Sequence, residues 1–251
     1  MRFDIITPLP DGFDYLSKSV LGRAQKNKKI KVVIHNIRDY TTDNYHTFDD
    51  RPYGGGVGLV MKVDVAFRAL SSVLSIKSPT SPKSLKPISY KLKPKTFTLL
   101  MTPQGKVFTQ NDAKRFAKKY DRIVILAGRF EGYDERIRKL VDEEISMGDF
   151  ILTGGELPAM AIVDAVSRLI PGVLGKDESS HHESFTEGLL EYPQYTRPDE
   201  FKLNKKILKV PPILKSGHHA QIANWRQEQA LKRTKSRRPD LWKKKGENNE
   251  R

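Results

Sequence analysis

The chain has 251 residues, of which 37% are hydrophobic, so it is long enough to bury a substantial core. It contains no cysteine, which excludes disulfides and thiolate metal sites and fits a cytoplasmic setting. No apolar run reaches the ~20 residues that a membrane span needs, and the start, MRFDIITPLP, lacks a signal-peptide pattern. We therefore expect a cytoplasmic protein with no membrane partner.

The net charge of +15 is unevenly distributed along the chain. Residues 202–251 contain 15 Lys and Arg against 4 Asp and Glu, a net charge of +11, whereas residues 126–191 contain 6 against 14, a net charge of −8. A strongly basic segment indicates a polyanionic partner such as nucleic acid. Charge taken by itself fits a solvated tail equally well.

Strands and helices alternate in the first part of the chain, a pattern typical of an α/β domain. Phe3–Thr7 is predicted to be a buried strand, residues 13–24 carry apolar side chains at helical spacing, and Ile30–Ile37 returns to strand character. A further helix is predicted over Val65–Leu74. Residues 75–95 contain four prolines and no apolar period, which predicts a surface insertion without chemistry of its own.

A polar loop over residues 38–58 ends in the sequence DDRPYGGGVG. Its glycines are reminiscent of a phosphate-binding loop. However, they follow a polar stretch rather than a strand, and no Gly-Lys-Ser/Thr comes after them. We expect a loop that contacts a partner.

The middle of the chain continues the alternation. Phe97–Met101 is predicted to be a strand that ends in a turn at Thr102–Gly105, Thr109 caps the next helix, and Arg122–Ala127 is another buried strand. Further predicted elements are a short helix at Ile137–Val141, short strands at Glu144–Met147 and Phe150–Leu152, and a helix that has Pro158 in its first turn and is stopped by Pro171.

The C-terminal part begins with a long irregular segment, residues 172–198, of a length typical of a functional lid or a linker. A helix is then predicted over His219–Lys235, with Ile222, Trp225 and Leu231 facing inward, and Pro239 opens a last short helix.

Three turns follow predicted strand ends: Thr102–Gly105, Gly128–Gly132 and Gly148–Gly155. Because ligands of α/β sheets bind beyond the carboxyl ends of the strands, these turns are expected to converge on one pocket. None of them has the Gly-x-Gly-x-x-Gly pattern at the start of a helix, which disfavours an ordinary dinucleotide site. Simple tight turns are the alternative interpretation.

Two groups of polar residues have simple explanations that involve no chemistry. Asp164 and Arg168, four residues apart, are most simply a surface ion pair, although Arg168 could instead face a substrate. The histidine-rich positions do not have the i, i+4 spacing of a helical zinc site, so no metal site is predicted at His181, His182, Glu183, His218 and His219.

Several long motifs, in this order, resemble those of the bacterial tRNA (guanine-N1)-methyltransferases: DDRPYGGGVGLVMK, TPQG, GRFEGYDER, EISMGDFILTGGELPAM, DAVSRLIPGVLG, SFTEGLLEYPQYTRP and VPPILKSGHHAQI. The resemblance runs from about Met1 to Leu241 and is broken by the insertion at 75–95. It implies an α/β fold of the SPOUT class with a parallel sheet, a deep trefoil knot and a small all-α C-terminal domain. It also implies S-adenosyl-L-methionine as cofactor and a homodimer with active sites at the subunit interface.

By position, the resemblance assigns cofactor binding to the three turns. The residues are Met101, Thr102, Pro103 and Gln104 from the first; Gly128, Phe130 and Gly132 from the second; and Ser146, Met147, Gly148, Asp149, Phe150, Ile151, Leu152, Gly154, Gly155 and Pro158 from the third. Phe130 and Phe150 stand where the family usually has tyrosine, and their rings preserve the apolar contact.

The resemblance also implies catalytic roles. Arg168 matches an arginine that stabilises negative charge on guanine O6, and Glu131 matches a carboxylate involved with substrate or magnesium. Glu183 stands where the family typically has the aspartate that acts as general base. Glutamate has a similar pKa and one more methylene, so it can accept the proton if the loop retreats by ~1 Å.

The sequence leaves other candidates for the base open, namely His182, or Asp177 or Glu178 through a shifted alignment. Magnesium is a further candidate requirement, bound either by the protein or by the RNA.

The substrate that the resemblance implies is the anticodon stem-loop of tRNA, methylated on N1 of the guanine 3′ of the anticodon where another guanine precedes it. The residues assigned to RNA binding are Asp50, Arg51, His218, His219 and Arg226. The expected domains are a knotted cofactor domain (1–171), a linker or lid (172–198) and a basic helical tRNA-binding domain (199–251). The alternatives are a SPOUT methyltransferase of ribosomal RNA and a non-catalytic RNA-binding protein.

Overall fold

The computed structural model describes residues 1–75, 95–129, 131–175, 183–185 and 188–243. Apart from Ser75 and Lys95, the predicted insertion lies outside the described residues, and so do Phe130, Asp177, Glu178, His181 and His182. The chain forms two compact units, Met1–Asp177 and Glu178–Arg251.

The first unit alternates strands and helices. In chain order its elements are β1 (Arg2–Thr7), a 3₁₀-helix (Pro10–Ser17), α1 (Ser19–Lys26), β2 (Lys31–Asn36), a 3₁₀-helix (Ile37–Tyr40), β3 (Asp49–Asp50), β4 (Val60–Met61), α2 (Val63–Val73), β5 (Thr96–Val107), α3 (Gln110–Lys119), β6 (Arg122–Leu126), a 3₁₀-helix (Glu135–Leu140), β7 (Glu143–Ser146) and α4 (Glu156–Ser167).

Five of these strands form a parallel sheet in the order β2-β1-β6-β5-β7, which confirms the predicted α/β class. Successive side chains of a strand point to opposite faces of the sheet. Ile5 therefore packs with α1, α3 and α4 on one face, while Ile6 packs with α2 on the other. Because both faces are covered, the central strands β5 and β6 carry uninterrupted apolar runs, LLM and IVIL, rather than an alternating pattern.

Local differences from the predicted elements have physical causes. The helical pattern over residues 13–24 is divided, because Lys18 is extended and Ser19 has a φ of +47°. The predicted turn at Thr102–Gly105 is an irregularity within β5, whose pairing with β7 shifts register between Met101 and Lys106.

Two further predictions for the central region are wrong. Phe150–Leu152 is not a strand but part of an irregular loop. Helix α4 ends before Pro171, since the chain tightens at Leu169 and Ile170, whose amides donate to the carbonyls of Val166 and Ser167. The cap at Thr109 is confirmed as a capping box, in which the Thr109 side chain and Asp112 bond each other's backbone amides.

The second unit contains β8 (Glu200–Leu203), β9 (Lys206–Lys209), a 3₁₀-helix (Pro212–Lys215) and α5 (His219–Arg237). The expectation of an all-α C-terminal domain is therefore wrong, because β8 and β9 form an antiparallel hairpin. Residues 239–243 are helical, as predicted. None of the helices in the described ranges is long and apolar enough to cross a membrane.

Candidate active site

A cavity of about 360 Å³ opens at the carboxyl ends of β6 and β7 and beside the irregular middle of β5. All three predicted turns contribute to it. Its walls are formed by Met101, Thr102, Pro103, Gly128, Arg129, Glu131, Gly132, Tyr133, Ile145, Ser146, Met147, Phe150, Ile151, Leu152, Gly154, Gly155 and Pro158.

Hydrogen bonds fasten the three turns to one another. The Gly155 amide donates to the Gly128 carbonyl oxygen at 2.8 Å, which joins the third turn to the second. The Tyr133 hydroxyl donates to the Met101 carbonyl at 3.0 Å and accepts from the Gly128 amide at 2.6 Å, which joins the second turn to the first. Burial raises the pKa of Tyr133, so the hydroxyl keeps its proton and remains a donor.

Glycine is required where these backbones approach closely. A Cβ on Gly155 would lie 2.9 Å from the Cα of Ala127, a backbone atom that cannot move aside cheaply. Gly132 has a φ of +127°, with open space where a side chain would be. The missing side chain at Gly155 allows the turns to approach, and Gly132 uses a backbone conformation that other residues rarely adopt.

A buried carboxylate binds Arg129, one of the residues that line the cavity. Glu156, 5% exposed, begins α4 and accepts hydrogen bonds from Arg129 Nε at 3.0 Å and from Thr7 Oγ1 at 3.2 Å. It therefore connects the end of β1 and the second turn to the helix that carries the third.

Glu131 lies at the edge of the cavity, next to the glycine-rich loop. Its amide donates to the Leu59 carbonyl at 3.2 Å, and a Cβ on Gly58 would lie 2.3 Å from its Cγ. Tyr133 separates the cavity from a second one of about 790 Å³, whose lining includes the predicted RNA contacts Asp50 and Arg51.

Arg168 lies at the far end of α4. It is the exposed C-cap residue, whereas Gly155, the N-cap, lines the cavity. At 1.5 Å per residue the two ends are about 20 Å apart. Near Arg168, the Tyr15 hydroxyl donates to Asp164, and this hydrogen bond raises the pKa of Tyr15.

The remaining predicted site residues are distributed as follows. Gln104, which accepts from Arg138 at 2.6 Å, and Gly148 and Asp149 are not among the described residues that line the cavity. In the second unit Glu183 is half-buried, His218 is the N-cap and His219 the first residue of α5, and the Arg226 guanidinium lies 4.7 Å from the centre of the Tyr192 ring.

Three lining residues were missed by sequence analysis. All three lie within the quoted motifs, Arg129 and Tyr133 in GRFEGYDER and Ile145 in EISMGDFILTGGELPAM, so the motifs themselves pointed to them. The described ranges contain no group of three or more His, Asp or Glu side chains placed to hold a metal ion.

Comparison with known proteins agrees with this architecture. The family model described as tRNA (Guanine-1)-methyltransferase TrmD matches residues 1–244. The chain belongs to this family. A Geobacter sp. (strain M21) member, named tRNA (guanine-N(1)-)-methyltransferase, is 49% identical over 243 residues, covering 96% of this chain and 89% of the relative.

Relatives from two other organisms carry the same name. The Trichodesmium erythraeum protein is 47% identical over 244 residues, which is 97% of this chain and 98% of its own. The Clostridium acetobutylicum protein is 46% identical over 244 residues, which is 97% of this chain and 92% of its own. Family membership, and with it the resemblance of the motifs, is confirmed.

Proposed function

We propose that this protein transfers a methyl group from S-adenosyl-L-methionine to N1 of the tRNA guanine immediately 3′ of the anticodon, where another guanine precedes it. One observation carries the proposal: the three turns of the family motifs meet around one cavity at the sheet edge where α/β proteins bind ligands. We further propose that the protein is cytoplasmic.

The cavity is chemically suited to the cofactor. S-adenosyl-L-methionine combines an adenine ring, a ribose and a cationic amino-acid chain, and supplies a methyl group that is already electrophilic. Met101, Ile145 and Phe150 offer apolar and aromatic surface for the ring, and the Glu131 carboxylate complements positive charge. The glycine turns present backbone amides and carbonyls to polar edges.

The protein residues must orient the guanine and remove its N1 proton. We assign removal of this proton to the Glu183 carboxylate, acting as general base. A correctly placed general base typically contributes ~10²–10⁴-fold in rate. Loss of this proton moves negative charge onto O6, which the Arg168 guanidinium would stabilise. Glu131 is assigned to the substrate, or to magnesium held together with RNA oxygens and water, the ligands that magnesium usually keeps.

We further propose a homodimer, which the position of Arg168 supports. About 15 Å along α4 separate Arg168 from Pro158, the residue within this helix that lines the cavity of its own chain, so a second copy is better placed to supply the arginine. Exposed apolar side chains are available for this contact in the same unit: Tyr15, Phe150, Ile151 and Leu157 are 54%, 55%, 80% and 61% exposed. Large exposed apolar side chains of this kind are typical of interaction surfaces when they lie together.

The RNA is assigned to the basic C-terminal domain, residues 199–251, with Arg226, His218 and His219 among its contacts. Asp50 and Arg51 would contact it from the second cavity. Residues 172–198 are proposed to order over the anticodon loop once both substrates are bound, and residues 1–171 to form the knotted cofactor domain.

The decisive experiment is a methylation assay on tRNA transcripts that carry or lack guanine at the target and at the preceding position, followed by mapping of the modified base. We expect N1-methylguanosine at the target, with loss of activity when either guanine is replaced. Modification of another RNA, or binding without methyl transfer, would replace the proposal by a ribosomal RNA enzyme or a non-catalytic binder.

The role of Glu183 has its own test. Glu183→Ala is expected to slow single-turnover methyl transfer by ~10²-fold or more, while Glu183→Asp retains most of the rate. Full single-turnover rate in Glu183→Ala would assign the base to a different residue.

A further inference from the structure

The hairpin of β8 and β9 is an exposed two-stranded ribbon. All eight of its strand residues are exposed, including four large apolar ones: Phe201 (56%), Leu203 (51%), Ile207 (53%) and Leu208 (50%). Apolar side chains clustered at the surface in this way need a partner to cover them.

The strand register separates the side chains onto two faces. Phe201 pairs with Leu208 and Leu203 pairs with Lys206, so three apolar side chains and one lysine share a face. The opposite face carries Lys202, paired with Ile207, and Glu200, paired with Lys209. The hairpin thus presents an aromatic and aliphatic surface bordered by lysines.

The lysines of this region fall into two classes. Lys209 Nζ lies 2.7 Å from Glu200 Oε1, and Lys215 Nζ lies 3.1 Å from Asp199 Oδ2, so both are neutralised. Among the residues that the structure describes, no carboxylate lies within ion-pair distance of Lys202, Lys205 or Lys206. Their charge is available to a partner.

We propose that this hairpin is an RNA-binding ribbon, in which Lys202, Lys205 and Lys206 bind phosphates and Phe201 stacks on an unpaired base. The proposal rests on the proposed function, which makes tRNA the substrate. Lysines without protein counter-charges beside an exposed aromatic ring are the composition that single-stranded nucleic acids bind. A protein partner fits less well, because lysine is depleted in protein interfaces.

The test compares two double variants that change the net charge equally. Lys202→Gln/Lys206→Gln removes two free lysines, and Lys209→Gln/Lys215→Gln removes two paired ones. The dissociation constant of tRNA is measured between 50 and 300 mM salt. We expect the first variant to lower the slope of log K against log salt by about 1.4 to 1.8, since each of the two phosphate contacts contributes about 0.7 to 0.9. The second is expected to change the slope much less.

Phe201→Leu tests the stacking contact. It keeps an apolar side chain and is expected to weaken tRNA binding at least about fivefold. In all three variants the KM for S-adenosyl-L-methionine at saturating tRNA is expected to stay within twofold of that of the unmodified protein, because the cofactor cavity is lined by residues of the first unit.

Three results would overturn the proposal: an unchanged salt slope in Lys202→Gln/Lys206→Gln, equal effects of the two double variants, or a Phe201→Leu variant that alters the sedimentation mass and leaves tRNA binding intact. The last result would make the apolar face a protein interface. Because the readout is binding, these outcomes are separate from failure of the proposed function, which would appear as absent methylation by the unmodified protein.

Discussion

Asp4 is a buried carboxylate held by three side chains of the first unit. It is fully buried in β1, and Arg2, Arg122 and His35 contact its carboxylate at 2.6, 2.8 and 2.8 Å. Burial by itself would raise the pKa of Asp4, but these hydrogen bonds outweigh it and hold the pKa well below its usual value. The carboxylate is thus charged in the folded protein and joins β1, β2 and β6.

Asp4→Asn is expected to lower the free energy of unfolding by about 3 kcal/mol at pH 7, because it leaves the cations around it uncompensated. Since the pKa is depressed on folding, the contribution is present above the unfolded pKa of about 4 and is lost as pH falls through the lower folded pKa. Urea unfolding at pH 7 and pH 3 measures this. A difference between the two proteins that grows on acidification would contradict it.

At the cavity, the Tyr133 hydroxyl holds the first and second turns together. Tyr133→Phe deletes one oxygen and leaves the Gly128 amide and the Met101 carbonyl without this partner. We expect the KM for S-adenosyl-L-methionine to rise about tenfold, which corresponds to ~1.4 kcal/mol. Steady-state kinetics with tRNA saturating tests this. An unchanged KM would show that water replaces the hydroxyl.

Among the elements, the loop before α4 depends on close backbone packing. Gly155→Ala places a methyl group 2.9 Å from the Cα of Ala127, so the second and third turns must separate. Equilibrium dialysis should show at least a tenfold loss of cofactor affinity, with a stability cost of about 1–3 kcal/mol.

Gly12→Ala is the matched control for this change. The atom nearest to its added methyl group is Leu9 Cδ2 at 3.3 Å, in a flexible side chain. It is expected to retain cofactor affinity. If both variants bind the cofactor equally well, the tight approach at Gly155 does not shape the cavity.

The prediction of strands and helices succeeded where the apolar pattern was long. It failed where the pairing between strands determines the local structure. The apolar runs in β1, β2 and β6 were predicted nearly to their ends, since strands of a parallel sheet tend to carry longer apolar runs than strands with one face in water. Thr102–Gly105 resembled a turn because Pro and Gly favour turns, yet β7 pairs with both sides of it. The hairpin of β8 and β9 was missed because its strands are short and lysine-rich.

At the scale of the whole molecule, the distance between Arg168 and the cavity gives a prediction about assembly. Arg168→Ala should be nearly inactive, and so should Gly155→Ala when S-adenosyl-L-methionine is kept well below the raised dissociation constant of this variant. If sites form between subunits, an equal mixture that has exchanged subunits should regain about a quarter of the activity, because half of the dimers are mixed and one of their two sites is intact. A radiolabelled methyl-transfer assay measures this. Recovery that stays at zero, with both variants folded by circular dichroism, would place Arg168 and the cavity of one chain in the same site.

The sequence by itself determined the α/β class, the family and the turns that line the cavity, because apolar runs, glycine turns and long motifs are local properties. Glu131, Gly128 and Gly155, which line the cavity, were named as site residues without any structure. Only the tertiary structure decided that Tyr133 and Glu156 hold those turns together and that Arg168 lies far from its own cavity, since both depend on which distant segments pack side by side. The same is true of the exposed hairpin, whose free and neutralised lysines differ only in which carboxylates folding places beside them.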